Sequence, residues 1–189
     1  MDIALVGLGN PGSKYQDNRH NIGRNFLNSY ARAYQLSYSK KFLGLYALQR
    51  LDDIKCHILL PETFMNLSGN AVCELVNFFK VDLNNLLVIH DEVDFAFARM
   101  SFKKGGGTAG HNGLNSIVDR LGEDFIRLRL GVGKGNFDTA DWVLSDFTTE
   151  EEKNVFKLFE SSKDILDSFI REGWEGAASN YNNKTFEEV

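Results

Sequence analysis

The chain has 189 residues, of which 43% are hydrophobic and 25% charged, and its formal net charge is −5 at pH 7. This length and composition exclude a disordered protein and are typical of one domain, residues 1–189, with a sizeable core. No apolar run approaches the roughly 20 residues that span a membrane, and the first residues lack the basic flank of a signal peptide. We therefore expect a soluble, cytoplasmic protein.

The first half of the chain alternates between strand-like and helix-like patterns of hydrophobic residues. In chain order, these patterns first predict a strand at 2–8 and a helix at about 21–36. Two strands follow, FLGLYALQRL and IKCHILL, joined by a hairpin turn at Asp52 and Asp53. The last elements of this half are a helix at about 68–80 and a strand, LLVIH, that ends at His90 and Asp91.

The second half contains a glycine-rich loop, GGGTAGHNG at 105–113, in which the backbone can approach a ligand closely. It continues with a helix at about 113–121, a strand through FIRLRLGVG, and a long helix that begins with the capping-box spacing of Thr148 to Glu151 and ends at Gly173. Alternating strands and helices with one hairpin predict an α/β fold with a mixed, mostly parallel sheet flanked by helices on both faces.

Two further features limit the possible chemistry. Cys56 and Cys73 lie in apolar stretches without C-x-x-C spacing, which indicates buried free thiols. The negative net charge argues against non-specific coating of nucleic acid, because that affinity comes from lysine and arginine contacts to phosphates. A local basic patch remains possible, and its candidate members are Lys103, Lys104, Arg127, Arg129 and Lys134.

The stretch GLGNPG, at 7–12, has the G-x-G-x-x-G spacing of a dinucleotide-binding loop. Such a loop must open a helix directly and be followed, about 20 residues later, by an acidic residue that binds the ribose. Here the helical pattern begins only near Asn21, and no Asp or Glu occurs between Asp17 and Asp52. The sequence therefore predicts a tight turn rather than a nucleotide site.

Polar side chains recur where predicted strands end and helices begin. Asn10, Asn66, Asp91 and Asn112 all lie at such junctions, and the first junction continues through Tyr15 to Arg19-His20-Asn21. Open α/β sheets place their sites at the carboxyl ends of their strands. We expect these polar groups to converge on one site.

At these residues the sequence closely resembles bacterial-type peptidyl-tRNA hydrolases. The matching stretches, in the family's order and spacing, are GLGNPGSKYQDNRHNIG (7–23), PETFMNLSGNAV (61–72), HDEVD (90–94) and GGGTAGHNGLNSI (105–117). The resemblance covers nearly the whole chain. It implies that a monomer, without metal or nucleotide cofactor, hydrolyses the ester between a peptide and the terminal ribose of tRNA, which frees tRNA from stalled peptidyl-tRNA.

The resemblance also implies roles for single residues. His20 would be the catalytic base and Asp91 its partner. Asn10, Asn66 and Asn112 would bind the peptidyl end and polarise the reacting centre. The remaining implied contacts are Tyr15 and Phe64 near the peptide, and Lys103, Arg127, Arg129 and Lys134 along the tRNA backbone.

Elementary chemistry agrees with these roles. A histidine has an unperturbed pKa of about 6.5 and can remove a proton from water at neutral pH, and a carboxylate on its other ring nitrogen fixes the tautomer. Asparagine can pair with both the C=O and the N–H of a peptide group. Because a free aminoacyl ester lacks that amide, such a site would spare aminoacyl-tRNA. We expect structural roles for His57, His90 and His111.

Two other functions remain open from the residues alone. Asp91, Glu92 and Asp94 could bind a metal ion in a metal-dependent phosphoesterase. The basic residues with Tyr15 and Phe64 could instead form a non-catalytic RNA-binding module.

Three positions depart from the family pattern: Asn18 replaces a threonine, Phe95-Ala96-Phe97-Ala98 replaces a turn with proline and glycine, and Thr108-Ala109 replaces a more basic or glycine-rich pair. The segment that covers the cleft is not evident from the sequence. The helix that begins near Thr149 and the tail from Trp174 are candidates.

Overall fold

The computed structural model describes residues 1–136 and 138–187 and contains seven strands and six α-helices in those residues. The strands are β1 (Asp2–Gly7), β2 (Ser39–Lys41), β3 (Gly44–Leu51), β4 (Ile54–Pro61), β5 (Leu86–Glu92), β6 (Met100–Lys104) and β7 (Ile126–Gly131). The helices are α1 (Ile22–Ala33), α2 (Ser68–Phe79), α3 (Asn112–Leu121), α4 (Thr139–Val143), α5 (Thr149–Glu160) and α6 (Ser162–Tyr181).

All seven strands form one sheet, in the order β2-β3-β4-β1-β5-β7-β6. β1 pairs in parallel with β4 and β5, and β5 pairs in parallel with β7. The other pairings, β2 with β3, β3 with β4 and β6 with β7, are antiparallel. The predicted mixed α/β sheet is confirmed. The sheet is not mostly parallel, however. The hairpin strands β2, β3 and β4 at one edge and β6 at the other form three antiparallel pairings, which equals the number of parallel pairings.

Helices cover both faces of the sheet and create two hydrophobic cores. On one face α1, α5 and α6 pack over Leu5 and Ile89. On the other face α2 and α3 pack over Val6 and Val88. The central strands are therefore buried on both sides, which explains why their sequences are continuous apolar runs rather than alternating ones.

The predicted long helix after Thr148 is divided in the structure. The capping box of Thr148 and Glu151 is present at the start of α5, but α5 ends at Glu160 and α6 begins at Ser162. Gly173, predicted as the helix end, instead interrupts α6 with φ 75° and ψ 179°. Both cysteines are free thiols, but only Cys56 is buried, whereas Cys73 is half-buried. None of the helices in the described ranges is long and apolar enough to cross a membrane.

The first turn of α1 lies unusually close to β5. A Cβ atom added to Gly23 would lie 2.2 Å from the carbonyl oxygen of Ile89. Only a residue without a side chain permits this contact. The close approach brings the turn that precedes α1 to the carboxyl end of β5.

We expect Gly23→Ala to lower the free energy of unfolding by about 1–3 kcal/mol, the usual effect of overpacking, because the obstructing atom is backbone. Chemical denaturation measures this loss. Gly107→Ala is the matched control, since its Cβ would have no atom within 4 Å. An equal loss in both variants would show that close packing at Gly23 is not the cause.

Candidate functional site

The site centres on a hydrogen bond between His20 and Asp91. His20 lies in a single 3₁₀ turn, Arg19–Asn21, directly before α1, and Asp91 lies near the end of β5. Nδ1 of His20 is 2.8 Å from Oδ1 of Asp91, and both residues are buried. Two residues far apart in the sequence thus meet at the carboxyl end of the central strands, as predicted.

His111 is a second partner of the same carboxylate. Its Nε2 is 2.9 Å from Oδ1 of Asp91, and its Nδ1 accepts hydrogen bonds from the backbone N–H groups of Gly113 and Leu114, at 3.1 and 3.3 Å. Because Nδ1 accepts, Nε2 carries the hydrogen and donates it to Asp91. The structural role predicted for His111 is incomplete: it caps α3, and it also belongs to the site.

Charge and burial shift the pKa values of this cluster in opposite directions. Burial lowers the pKa of His20, but the attraction and the hydrogen bond of Asp91 outweigh burial and raise it above its ordinary value. Burial would raise the pKa of Asp91, whereas His20 and His111 together hold it far below its ordinary value. Asp91 is therefore an anion near neutral pH.

The two other histidines are separate cases. Burial lowers the pKa of His90 to about 3, so its ring is neutral, and its Nδ1 donates to the carbonyl oxygen of Asp91 at 2.7 Å. Its Nε2 lacks a partner among the described residues. His57 lies elsewhere in the sheet, where its ring nitrogens contact the Tyr46 hydroxyl at 2.9 Å and Asp2 at 2.8 Å.

Two adjoining cavities meet at His20. The first has a volume of about 270 Å³ and the second about 400 Å³. Residues that line the first include His90, Asp91, Glu92, His111 and Asp138. The second is lined by Asn10, His20, Phe64, Met65, Asn66, Asn112, Ala140, Val143 and Leu144. The predicted asparagines thus converge in the second cavity, while the carboxylate lies on the side of the first.

Asn10 is held so that a donor remains free. Its Oδ1 accepts from the backbone N–H of Met65 at 2.8 Å, and its own backbone N–H and C=O bond to the side chain of Asn21, both at 2.9 Å. Because Oδ1 must accept, the NH₂ group of Asn10 is the part left to face the cavity. Asn66 and Asn112 are exposed at the cavity wall.

Two aromatic residues were predicted near the site. Phe64 lines the second cavity and is 56% exposed, so it offers an apolar surface at the entrance. Tyr15 is half-buried in the loop between β1 and α1, and the described residues that line the two cavities do not include it.

Arg127 does not occupy the position predicted for a tRNA contact. It is 2% exposed, and its guanidinium donates to the carbonyl oxygens of Gly106 and of Gly107. The strand register places Arg127 beside Lys103 on one face of the sheet, beneath the glycine loop. Arg127 therefore holds that loop in place. This role could not be predicted from the sequence, because it depends on the path of the glycine loop over β7.

The other predicted basic residues are more accessible. Lys103 is exposed, and its Nζ lies against Gly106. Arg129 is half-buried, packs over the ring of Phe95 at 4.4 Å and donates to Ser101 at 3.3 Å. Lys134 forms an exposed ion pair with Asp94.

The segment that covers the cavities is α4, which the sequence did not predict. Its residues Ala140 and Val143 line both cavities. Neither predicted candidate lines the cavities: the described lining residues include none from α5 and none from the tail after Trp174.

The backbone accommodates the positions that depart from the family pattern to different degrees. Asn18 donates to Asp146 at 2.6 Å. Ala98 and Ala109 adopt φ of 69° and 49°, a region where glycine is preferred. Thr108 secures the loop through its hydroxyl, which donates to Asn115 of α3.

A metal ion would compete with the hydrogen bonds of the cluster. His20, Asp91 and His111 offer ligand atoms within 4.8 Å of one another. However, Nδ1 of His20 and Nε2 of His111 already donate to Oδ1 of Asp91, at 2.8 and 2.9 Å. A cation between them would have to displace both hydrogens. The donor set fits a proton-transfer site better than a metal site.

Comparison with known proteins gives one consistent result. Residues 4–189 match the family model described as peptidyl-tRNA hydrolase. The chain is 43% identical over 185 residues to a peptidyl-tRNA hydrolase of Geobacter metallireducens, covering 96% of this chain and 95% of that protein. It is 38% identical to one of Clostridium tetani, with 95% and 96% covered. The crystal structure of peptidyl-tRNA hydrolase from Acinetobacter baumannii superposes with a TM-score of 0.82 at 30% identity, with 95% of each chain covered.

Proposed function

Since this chain belongs to the peptidyl-tRNA hydrolase family and hydrolyses the ester between a peptide and tRNA, we propose that His20 is the general base of that reaction. The observation that carries the proposal is the contact of Nδ1 with the anionic Asp91. This contact keeps the hydrogen on Nδ1 and leaves Nε2 unprotonated, in the form that can accept a proton.

The reaction then follows from the arrangement of donors and acceptors. Nε2 of His20 takes a proton from water while the water oxygen bonds to the ester carbon, and the carbonyl electrons move onto the carbonyl oxygen. The free NH₂ group of Asn10 is positioned to donate to that oxyanion. When the intermediate collapses, the bond to the ribose oxygen breaks and the imidazolium returns the proton to it.

The second cavity is the site that we assign to the peptidyl end. Asn10, Asn66 and Asn112 provide amide groups for the peptide bond of the substrate, and Phe64 offers an apolar contact. An unacylated aminoacyl ester offers no amide to these groups, so we expect it to bind less well than the N-acylated ester.

The tRNA contacts that we propose lie on the accessible basic residues Lys103, Arg129 and Lys134, with Arg127 supporting the glycine loop beside them. The continuous sheet supports the single domain predicted over residues 1–189. We propose that this domain acts as a monomer. Its substrate is a product of translation, which supports a cytoplasmic location.

The experiment that tests the proposed reaction compares N-acetylated and free aminoacyl-tRNA, with and without EDTA, for the wild type and for His20→Ala, which should lose the cleavage. We expect cleavage of the N-acetylated ester alone, at the same rate in EDTA, because the proton transfer uses only side chains. Release of free tRNA measures it. Loss of cleavage in EDTA that Mg²⁺ restores would instead support the metal-dependent phosphoesterase, and binding without turnover would support the RNA-binding module.

A further inference from the structure

Arg19, the residue before His20, is buried and contacts three separate parts of the segment that follows β7. It is 2% exposed. Its Nη1 and Nη2 donate to the two carboxylate oxygens of Glu151 at 2.9 and 2.7 Å, and its Nε donates to the Ser145 hydroxyl at 3.2 Å. Its guanidinium lies 3.9 Å from the ring centre of Trp142 and 4.8 Å from that of Phe147.

The backbone adds to this connection. The N–H of Arg19 donates to the carbonyl oxygen of Ser145 at 3.0 Å, and Asn18 forms an isolated β-bridge with Asp146. Trp142 belongs to α4, and its indole N–H donates to the carbonyl oxygen of Gly133 at 2.8 Å. The cover of both cavities is therefore fixed to the turn that carries His20. We call Arg19, Trp142 and Glu151 the arginine clamp.

The residues of the clamp lie outside the reacting centre. Arg19, Trp142 and Glu151 are absent from the described residues that line the two cavities. A planar guanidinium can form a bidentate pair with a carboxylate and stack on an aromatic face at the same time, which an apolar residue or a lysine cannot do. Packing alone would not require an arginine at this buried position.

We propose that Arg19 is a positioning residue: through the arginine clamp it holds α4 over both cavities and over the His20–Asp91 pair. Arg19 itself contacts neither the substrate nor the reacting atoms. It acts through its chain neighbour, His20, and through α4. The inference rests on the proposed role of His20 as the base.

The clamp also affects the titration of His20. The groups that face its imidazole are Asp91 on β5 and His111 before α3, whose ring centre is 4.9 Å away, while Glu92 and Asp138 line the adjoining cavity. The pKa of His20 depends on burial and on Asp91. When α4 loosens, Asp91 on β5 stays in place, whereas water enters and the burial of His20 falls. Burial lowers the pKa of His20. A loosened clamp should therefore raise it further and move the acid limb of kcat/KM to higher pH.

The test compares Glu151→Gln with Glu152→Gln. Glutamine at 151 can still accept the Thr148 N–H of the capping box but cannot form the ion pair with Arg19. Glu152 is an exposed neighbour in the same helical turn. We expect Glu151→Gln to lower kcat about 10–100-fold because the loosened α4 no longer holds the substrate against His20, to shift the acid limb upward, and to speed hydrogen exchange of the amides of α4. Glu152→Gln should leave all three unchanged.

Trp142→Leu serves as a second variant, since it leaves the Arg19–Glu151 ion pair in place and should show the same three changes. Wild-type kcat and α4 exchange in both clamp variants would overturn the proposal. The proposal would also be overturned if kcat fell only in proportion to a fall in Tm while the acid limb stayed in place, because that result would reflect a loss of stability alone. Retained turnover in His20→Ala would refute the role of His20 as the base. Hydrogen exchange of the α4 amides in the clamp variants would still decide whether Arg19 holds α4 over the cavities.

Discussion

Replacing His20 by alanine should lower kcat for N-acetylated aminoacyl-tRNA about 10²–10⁴-fold, the usual contribution of a positioned general base. Binding of the tRNA should be unchanged, because the basic residues assigned to it lie outside the cluster. The residual activity would come from the asparagine donors, which the substitution leaves in place. Single-turnover cleavage measures the chemical step, and a tRNA-binding assay measures the affinity.

A matched control exists within the same chain. His57 is also 2.8 Å from a carboxylate, that of Asp2, but it lies away from both cavities. His57→Ala should retain wild-type turnover wherever the protein remains folded. An equal loss in the two variants would indicate a general effect on folding rather than the removal of a base.

The second large effect is expected from Asp91→Asn. An amide in place of the carboxylate no longer fixes the tautomer of His20 or stabilises the imidazolium, so we expect kcat to fall by about two to four orders of magnitude. The pH dependence should change as well. Asp91 raises the pKa of His20 and burial lowers it. Without the carboxylate, burial dominates, and the acid limb of the pH–rate profile should move to lower pH.

Asp94→Asn is the control for that variant, because Asp94 is an exposed carboxylate that pairs only with the exposed Lys134 among the described residues. Such surface pairs contribute little, so turnover should stay within about twofold. An acid limb that stays in place in Asp91→Asn would show that Asp91 does not set the charge state of the base.

The main features of the site could be predicted because they follow from the topology. Asn10, Asn66 and Asp91 lie at or just after the carboxyl ends of β1, β4 and β5, and the parallel pairing of these strands brings those ends together. Asn112 follows the antiparallel strand β6 and reaches the site through the glycine loop. The pairing of His20 with Asp91 is implied by the family resemblance, and the two side chains meet at this end of the sheet. The close approach at Gly23 then places the turn of His20 on β5.

Other features depend on contacts that no local pattern encodes. His111 was interpreted as structural, although its place directly before Asn112 in the glycine loop was a signal that it could reach the site. Arg127 shares its strand face with Arg129, and only the fold of the glycine loop buries the first and leaves the second accessible. The helix α4 is too short for a periodic pattern, and Arg19 contacts its residue Trp142 across more than 120 positions of sequence.

The proposal that His20 is the base is tested most directly by the pKa of its imidazole. Nuclear magnetic resonance can measure the pKa of the His20 ring in the free wild-type enzyme, and the acid limb of kcat/KM reports the essential base of the same state. We predict that the two values coincide and lie above the ordinary value of 6.5 for histidine. Two different values, or an acid limb that persists unchanged in His20→Ala, would contradict the account.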